Sequence, residues 1–238
     1  MNTNQPPRIF DDAHASAEGS LAKNFVANVF SWMVVGLLIT GFVASYAASS
    51  GLYVQLVGSG GLMMWVILLS PFAFIIAMNA GLQKFSATTL TLLFLAFSGV
   101  MGLSLSSVFL VYSMGSITQV FLITAGTFAV MAFAGYTTSV DLSKFGALLF
   151  MALIGIIIAS VVNFFMQSSM MEFIISVGGV LVFTGLTAYD TQRIKRIGAG
   201  VEYGTAGATK LAILAAVSLY LNFVNLFLFL LRLLGGRN

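Results

Sequence analysis

Cysteine is absent from the 238 residues, histidine occurs once, and only 7 acidic residues accompany 10 basic ones. Each scarcity removes a class of function. Without thiols there is no disulfide framework, no cysteine nucleophile and no thiolate-held metal. His14 sits in a polar stretch near the N-terminus, so zinc-peptidase or Ser-His chemistry inside a membrane lacks its essential side chain. Charged residues make up 7% of the chain, against about 25% in soluble domains. What the chain has instead is 59% hydrophobic residues and a mean hydropathy of +1.04. That composition excludes a soluble globular fold and points to an all-α polytopic membrane bundle. The pI of 9.3 suits anionic lipid headgroups rather than nucleic acid, because the basic residues flank apolar runs and no aromatic-rich basic patch occurs.

About 20 apolar residues cross a bilayer. Runs of that kind lie at about 24–48, 62–82, 87–112, 117–139, 144–166, 172–191 and 209–234, which makes seven. Residues 1–22, with Pro6, Pro7, Asp11, Asp12 and Glu18, read as a flexible polar N-terminal tail, and residues 23–238 as one seven-helix transmembrane domain. The first run exceeds the 7–15 residues of a signal-peptide core and is expected to be a retained span. Taking every second loop as cytoplasmic places Arg8, Lys23, Lys84, Lys144, Arg193, Lys195, Arg196 and Lys210 on one side, while the loops at 49–61, 113–116 and 167–171 hold no basic residue. The bias predicts a cytoplasmic N-terminus. Arg232 and Arg237 fit less well: either the last run re-enters, or it crosses fully and leaves both arginines outside. Full crossing is the preferred expectation.

Small residues recur at helical spacing in Gly36, Thr40 and Ala44, in Ser98, Gly102 and Ser106, and in Ala152, Gly155, Ala159 and Asn163. Such stripes let backbones approach closely where hydrophobicity gives no net drive to association, so a tight bundle is a better reading than a glycine-lined pore. Tyr53, Trp65, Tyr112, Tyr136 and Tyr203 fall near expected interfaces as belt residues.

A charge at mid-bilayer costs about 2.5–3.5 kcal/mol even on the lenient insertion scale. Asp11, Asp12, Glu18 and Glu202 lie in tail or loop, and Asp141 and Glu172 stand at helix starts, where capping and the helix dipole favour carboxylates. Asp190 remains. No Gly or Pro follows it before Gly198, so the helix is expected to continue past it and to hold the carboxylate in its C-terminal half, where the dipole opposes an anion. The structural alternative is an i, i+3 ion pair with Arg193, worth about 0.2–0.5 kcal/mol. In the last run Ser218, Asn222, Asn225 and Arg232 share one face, because steps of four, three and seven return to the same side of a helix. Amides in lipid need partners. They can be interhelical glue, worth about 0.6 kcal/mol per contact, or the complement of Asp190.

Thr187-Ala188-Tyr189-Asp190-Thr191-Gln192, followed by a basic cluster and by Leu219-Tyr220-Leu221-Asn222-Phe223-Val224-Asn225-Leu226-Phe227, resembles the signature of the Bax inhibitor-1 family, the bacterial branch in particular. The likeness extends to Leu82-Gln83-Lys84-Phe85-Ser86-Ala87, to Gly135-Tyr136-Thr137-Thr138 with Asp141-Leu142-Ser143, and to Met151-Ala152-Leu153-Ile154-Gly155. The resemblance implies seven transmembrane helices with the seventh near the centre, and residence in a bacterial inner membrane. It also implies a pH-sensitive calcium or cation leak whose sensor is a pair of aspartates. The first corresponds to Asp190; where many relatives carry the second, this chain has Asn222. Two close carboxylates share a proton because both cannot ionise comfortably, and an Asp with an Asn lacks that repulsion. No arginine between Arg8 and Arg193 is available to latch the aspartate, as happens in some members.

The leading expectation is therefore a cation-permeation protein in which Asp190, bonded to Asn222 or Asn225, occludes the cytoplasmic end of the central helix. Thr187, Tyr189, Gln192 and Arg193 would support it and Ser218 would lie beside it. Calcium prefers six to eight oxygens, so Asp190 with amides offers only weak Ca2+ binding, and no other cofactor is expected. An enzyme is disfavoured. Intramembrane aspartyl proteolysis needs two carboxylates sharing a proton, which Asn222 cannot supply, and a retinal-type Schiff base needs a mid-span lysine where the nearest, Lys210, opens the last run. The alternative is an interaction protein whose tail 1–22 or loop 192–209 binds a membrane-bound protease or tunes a stress response without ion flux.

Overall fold

In this computed structural model, which describes residues 8–58, 61–202 and 204–236 and only the backbone of 8–19, the apolar runs become helices. They are α1 (Arg8–Ser49), α2 (Leu52–Gly58), α3 (Leu62–Ala80), α4 (Ala87–Val111), α5 (Met114–Thr137), α6 (Ser143–Met166), α7 (Ser169–Ala199) and α8 (Ala206–Leu234). Seven of them, all but α2, are long and apolar enough to cross a membrane. Hydroxyl side chains set four of the starts. Ser86, Ser113, Ser168 and Thr205 accept from the backbone N–H groups of Thr89, Ser116, Met171 and Ala208, satisfying donors that would otherwise be orphaned near lipid.

Pro71 lies inside α3 and has no N–H to give, which frees the carbonyl of Ile67 one turn earlier. Ser104 on α4 donates to that carbonyl at 2.8 Å. A defect in one helix thus becomes a bond between two.

The last helix is the hub. α8 packs on α1, α4, α5 and α7, and Leu219, Tyr220, Ala216 and Leu226 along it are wholly buried. α6 lies at the opposite extreme: it packs on α7, and Gly146 is its one buried residue. The small-residue stripes divide accordingly. A Cβ on Gly102 would come within 2.8 Å of the Thr40 carbonyl, and one on Gly36 within 2.6 Å of Phe94, so those two stripes form the α1–α4 seam. Gly155 meets nothing within 4 Å, so the α6 stripe is not a close backbone seam: Ala152 and Ala159 are half-buried against the core while Gly155 itself is exposed.

Three features depart from the sequence reading. Residues 8–22 are helical and continue the first span, since no proline follows Pro7 to stop the helix. The loop at 49–61 contains α2, entered through Gly51 at φ 73, and Tyr112 is a core residue packed near Gly235 rather than a belt residue. Tyr203 and Arg237 lie outside the described residues.

The ends of the bundle also settle the path of the last run. Lys210 donates to the Leu82 carbonyl, Arg196 reaches Asp141, and Gly198 abuts Ala22 and Phe25, so Lys23, Lys84, Lys144, Arg193, Lys195, Arg196 and Lys210 gather at one end. Gly236 meets the other end: its N–H donates to Ser116 Oγ and its carbonyl accepts from the Ser113 N–H. α8 therefore traverses the whole bundle, and Arg232 lies away from the basic end.

Candidate functional site

Antiparallel packing of α7 and α8 brings Asp190 against the middle of α8. The carboxylate is 7% exposed, and its Oδ2 accepts from Ser218 Oγ at 2.7 Å and from Asn222 Nδ2 at 2.8 Å. Its Oδ1 accepts nothing among the described residues, and no cation stands within ion-pair distance. Arg193 is exposed and unpaired with Asp190, so the local ion pair weighed from sequence does not form. Helix α7 does run on past Asp190, ending nine residues later at Ala199, about 14 Å along the axis. Asn225 turns elsewhere. Its Nδ2 donates to the Leu221 carbonyl one turn back, leaving Asn222 as the amide that grips the acid.

The neighbouring residues of α7 hold other elements in place. Thr187 is fully buried and donates to the Phe183 carbonyl, while the ring of Tyr189 lies where a Cβ on Gly146 would clash at 2.7 Å. Gln192 reaches across to the α5–α6 loop, donating to Val140 O at 2.8 Å and accepting from the Leu142 N–H at 2.9 Å. Arg196 donates to Gln192 Oε1, to Ser143 Oγ and to Asp141 Oδ1. Lys195 donates to the Tyr136 carbonyl and stands 4.8 Å over its ring. The Asp141 carboxyl is held below its ordinary value by the Ser143 backbone N–H, then by the Ser143 hydroxyl and Arg196.

Ser218, Asn222, Asn225 and Arg232, grouped by helical spacing, all line one cavity of about 1220 Å³ together with Asp190 and Arg193. Its other walls come from α3 and α6, and most of its lining is aliphatic or aromatic. Since Asp190 Oδ1 is not sealed by any bond, it is the oxygen left to face that space. Among the described residues no three His, Cys, Asp or Glu side chains cluster as metal ligands. A cation here would find one carboxylate, a hydroxyl and amide oxygens, a sparse set for calcium.

Sequence reading missed two contacts that position the helices around Asp190. Thr40 Oγ1 donates to the Ser98 carbonyl and stands 2.7 Å from the Tyr220 hydroxyl, tying α1, α4 and α8 in a buried chain. The hydroxyl of Tyr220 in an apolar run was the available signal. Gly135 is the second: a Cβ there would fall 2.2 Å from the Ala188 carbonyl, so α5 and α7 touch backbone to backbone two residues before Asp190.

Comparison with known proteins finds a matching family and several relatives. The family described as "Inhibitor of apoptosis-promoting Bax1" matches residues 22–238. The chain is 46% identical over 216 residues to "Inner membrane protein YbhL" of Escherichia coli K12, covering 90% of this chain and 92% of that one. It is 46% identical over 219 residues to an uncharacterized protein of Borreliella burgdorferi, covering 91% and 94%. It is 38% identical over 219 residues to "Uncharacterized protein RP147" of Rickettsia prowazekii, covering 90% of each.

Proposed function

The chain belongs to the Bax inhibitor-1 family, and from that premise we propose that it is a cation leak of a bacterial inner membrane, with its N-terminus in the cytoplasm and Asp190 as the gating group. The observation that carries the reading is a buried carboxylate with no cationic partner among the described residues, held by one oxygen on the central helix and open at the other to a cavity. Such a group in a membrane is a functional candidate by default, because its burial is costly unless its charge is used. In the resting arrangement Ser218 and Asn222 bind Oδ2 and fix α8 against α7. A proton or a cation at the unbonded Oδ1 draws charge away from Oδ2, weakens both bonds and lets α8 shift against α7, the kind of local charge change that biases a two-state element. Weak, transient calcium contact at one carboxylate and neighbouring amides suits permeation rather than storage.

The test is calcium flux into proteoliposomes across a pH series. Wild type is expected to leak with a pH response that Asp190→Asn removes; identical flux and pH response in the two proteins would take Asp190 out of the mechanism. Asn222→Asp adds a second carboxylate within reach of the first and is expected to introduce a shared proton, seen as steeper pH dependence. The carboxamide at Asn222 also leaves aspartyl chemistry without its second acid, so we read the protein as a non-enzyme.

A further inference from the structure

The cavity on α8 is not a closed chamber. Its two side walls, α3 and α6, belong to the least buried helices of the bundle, with Phe72, Phe150, Ile157 and Phe164 exposed along them, so the space opens sideways into the acyl region of the bilayer. Its volume of about 1220 Å³ exceeds the roughly 300–1,000 Å³ of ordinary small-molecule clefts. It is also elongated: its lining on α7 runs from Arg193 to Phe183, about 15 Å of helix, or half the hydrocarbon thickness. A slot of that length, apolar along its walls, is shaped for a lipid chain.

The polar groups in it specify the headgroup. Asp190 is nine-tenths buried and, among the described residues, lacks a cationic partner and has Oδ1 unbonded. Arg193 is one turn further toward the basic end, about 4.5 Å along the axis, and its guanidinium has no acceptor among the described residues. A carboxylate needing a donor next to a guanidinium needing an anion is complementary to a primary ammonium next to a phosphate. We infer that the lateral groove binds a diacyl phospholipid with a primary-ammonium headgroup, its ammonium on Asp190 Oδ1, its phosphate on Arg193 and one acyl chain between α3 and α6. A trimethylated headgroup has no N–H to donate to Oδ1, and a glycerol headgroup has no cation, so neither meets both groups.

This inference uses the same carboxylate as the proposed gate but does not require ion flux, and its test involves no gradient. Delipidated protein is incubated with phosphatidylethanolamine, phosphatidylcholine or phosphatidylglycerol of identical chains, and lipid retention is read by native mass spectrometry. Wild type is expected to retain phosphatidylethanolamine at least about tenfold over either competitor. Asp190→Asn, which keeps an oxygen for Ser218 and Asn222, is expected to lose most of that preference with unchanged melting temperature. Arg193→Gln should weaken phosphatidylethanolamine while leaving retention of a long-chain alkylamine, which carries no phosphate, unaltered. Equal retention of the three lipids by wild type, an undiminished preference in Asp190→Asn, or tighter binding of phosphatidylglycerol that depends on Arg232 would each overturn the inference.

Discussion

At the scale of single residues, two bonds to one oxygen decide how Asp190 behaves. Replacing it by Leu removes the acceptor of both Ser218 and Asn222. Interhelical hydrogen bonds in lipid average about 0.6 kcal/mol and reach about 1.7, so Asp190→Leu is expected to destabilise by about 1–2 kcal/mol in thermal unfolding in detergent. Asp190→Asn retains a carbonyl oxygen for the same two donors and should unfold within about 0.5 kcal/mol of wild type. Near-equal unfolding of the two variants would mean that the bonds to Oδ2 contribute nothing. Tyr220→Phe removes one member of the Thr40–Ser98–Tyr220 chain while leaving the ring buried, for an expected loss of about 0.6 kcal/mol. The identity of Asp190 as the exceptional acid was readable in the sequence, because every other acid falls outside the apolar runs or at the start of one. That Asn222 and Ser218 hold it while Asn225 does not was unreadable. Helical spacing places all three on one face, and only the rotation of α8 against α7 chooses among them.

At the scale of elements, glycine contrasts separate real seams from apparent ones. Gly135→Ala would drive a methyl into the Ala188 carbonyl and push α5 off α7, an overpacking that costs about 1–3 kcal/mol. Gly155→Ala on α6 meets open space, and its effect on unfolding should stay within about 0.5 kcal/mol. Equal effects in thermal unfolding would contradict the packing described. The stripe pattern alone could not tell these helices apart, since small residues permit close approach without requiring a partner to use it. The α5–α6 loop carries its own prediction. The Ser143 N–H and Arg196 favour the ionised form of Asp141, so its folded value lies below the unfolded one of about 3.9. A lowered carboxyl contributes stability that is fully present above the unfolded value and lost only as pH falls through the folded one. Between pH 5 and 8 Asp141 therefore stays ionised, and Asp141→Asn should leave the shape of the flux–pH profile in that window unchanged; a flattened profile would move the sensor from the bundle to this loop.

At the scale of the whole molecule, the chain's lack of cysteine makes its topology directly measurable. Single substitutions Ser139→Cys, in the loop bonded to Gln192 and Arg196, and Gly236→Cys, bonded at the Ser113–Ser116 end, should react with an impermeant thiol reagent from opposite sides of the membrane. Labelling of both from one side would return the last run to a re-entrant path. Seven spans, the crowding of cations in alternate loops and the singular acid followed from composition and periodicity, because lipid enforces long apolar helices and penalises charge wherever the chain crosses it; the limits of α1 and α7, which run well past their apolar cores, did not. Periodicity assigns residues to faces but says nothing of which face meets which. The central place of α8, the end at which its last turn is tied down, the exposure of α6 and the slot it leaves beside Asp190 arise from contacts between residues far apart in the chain, and those exist only once the helices are packed.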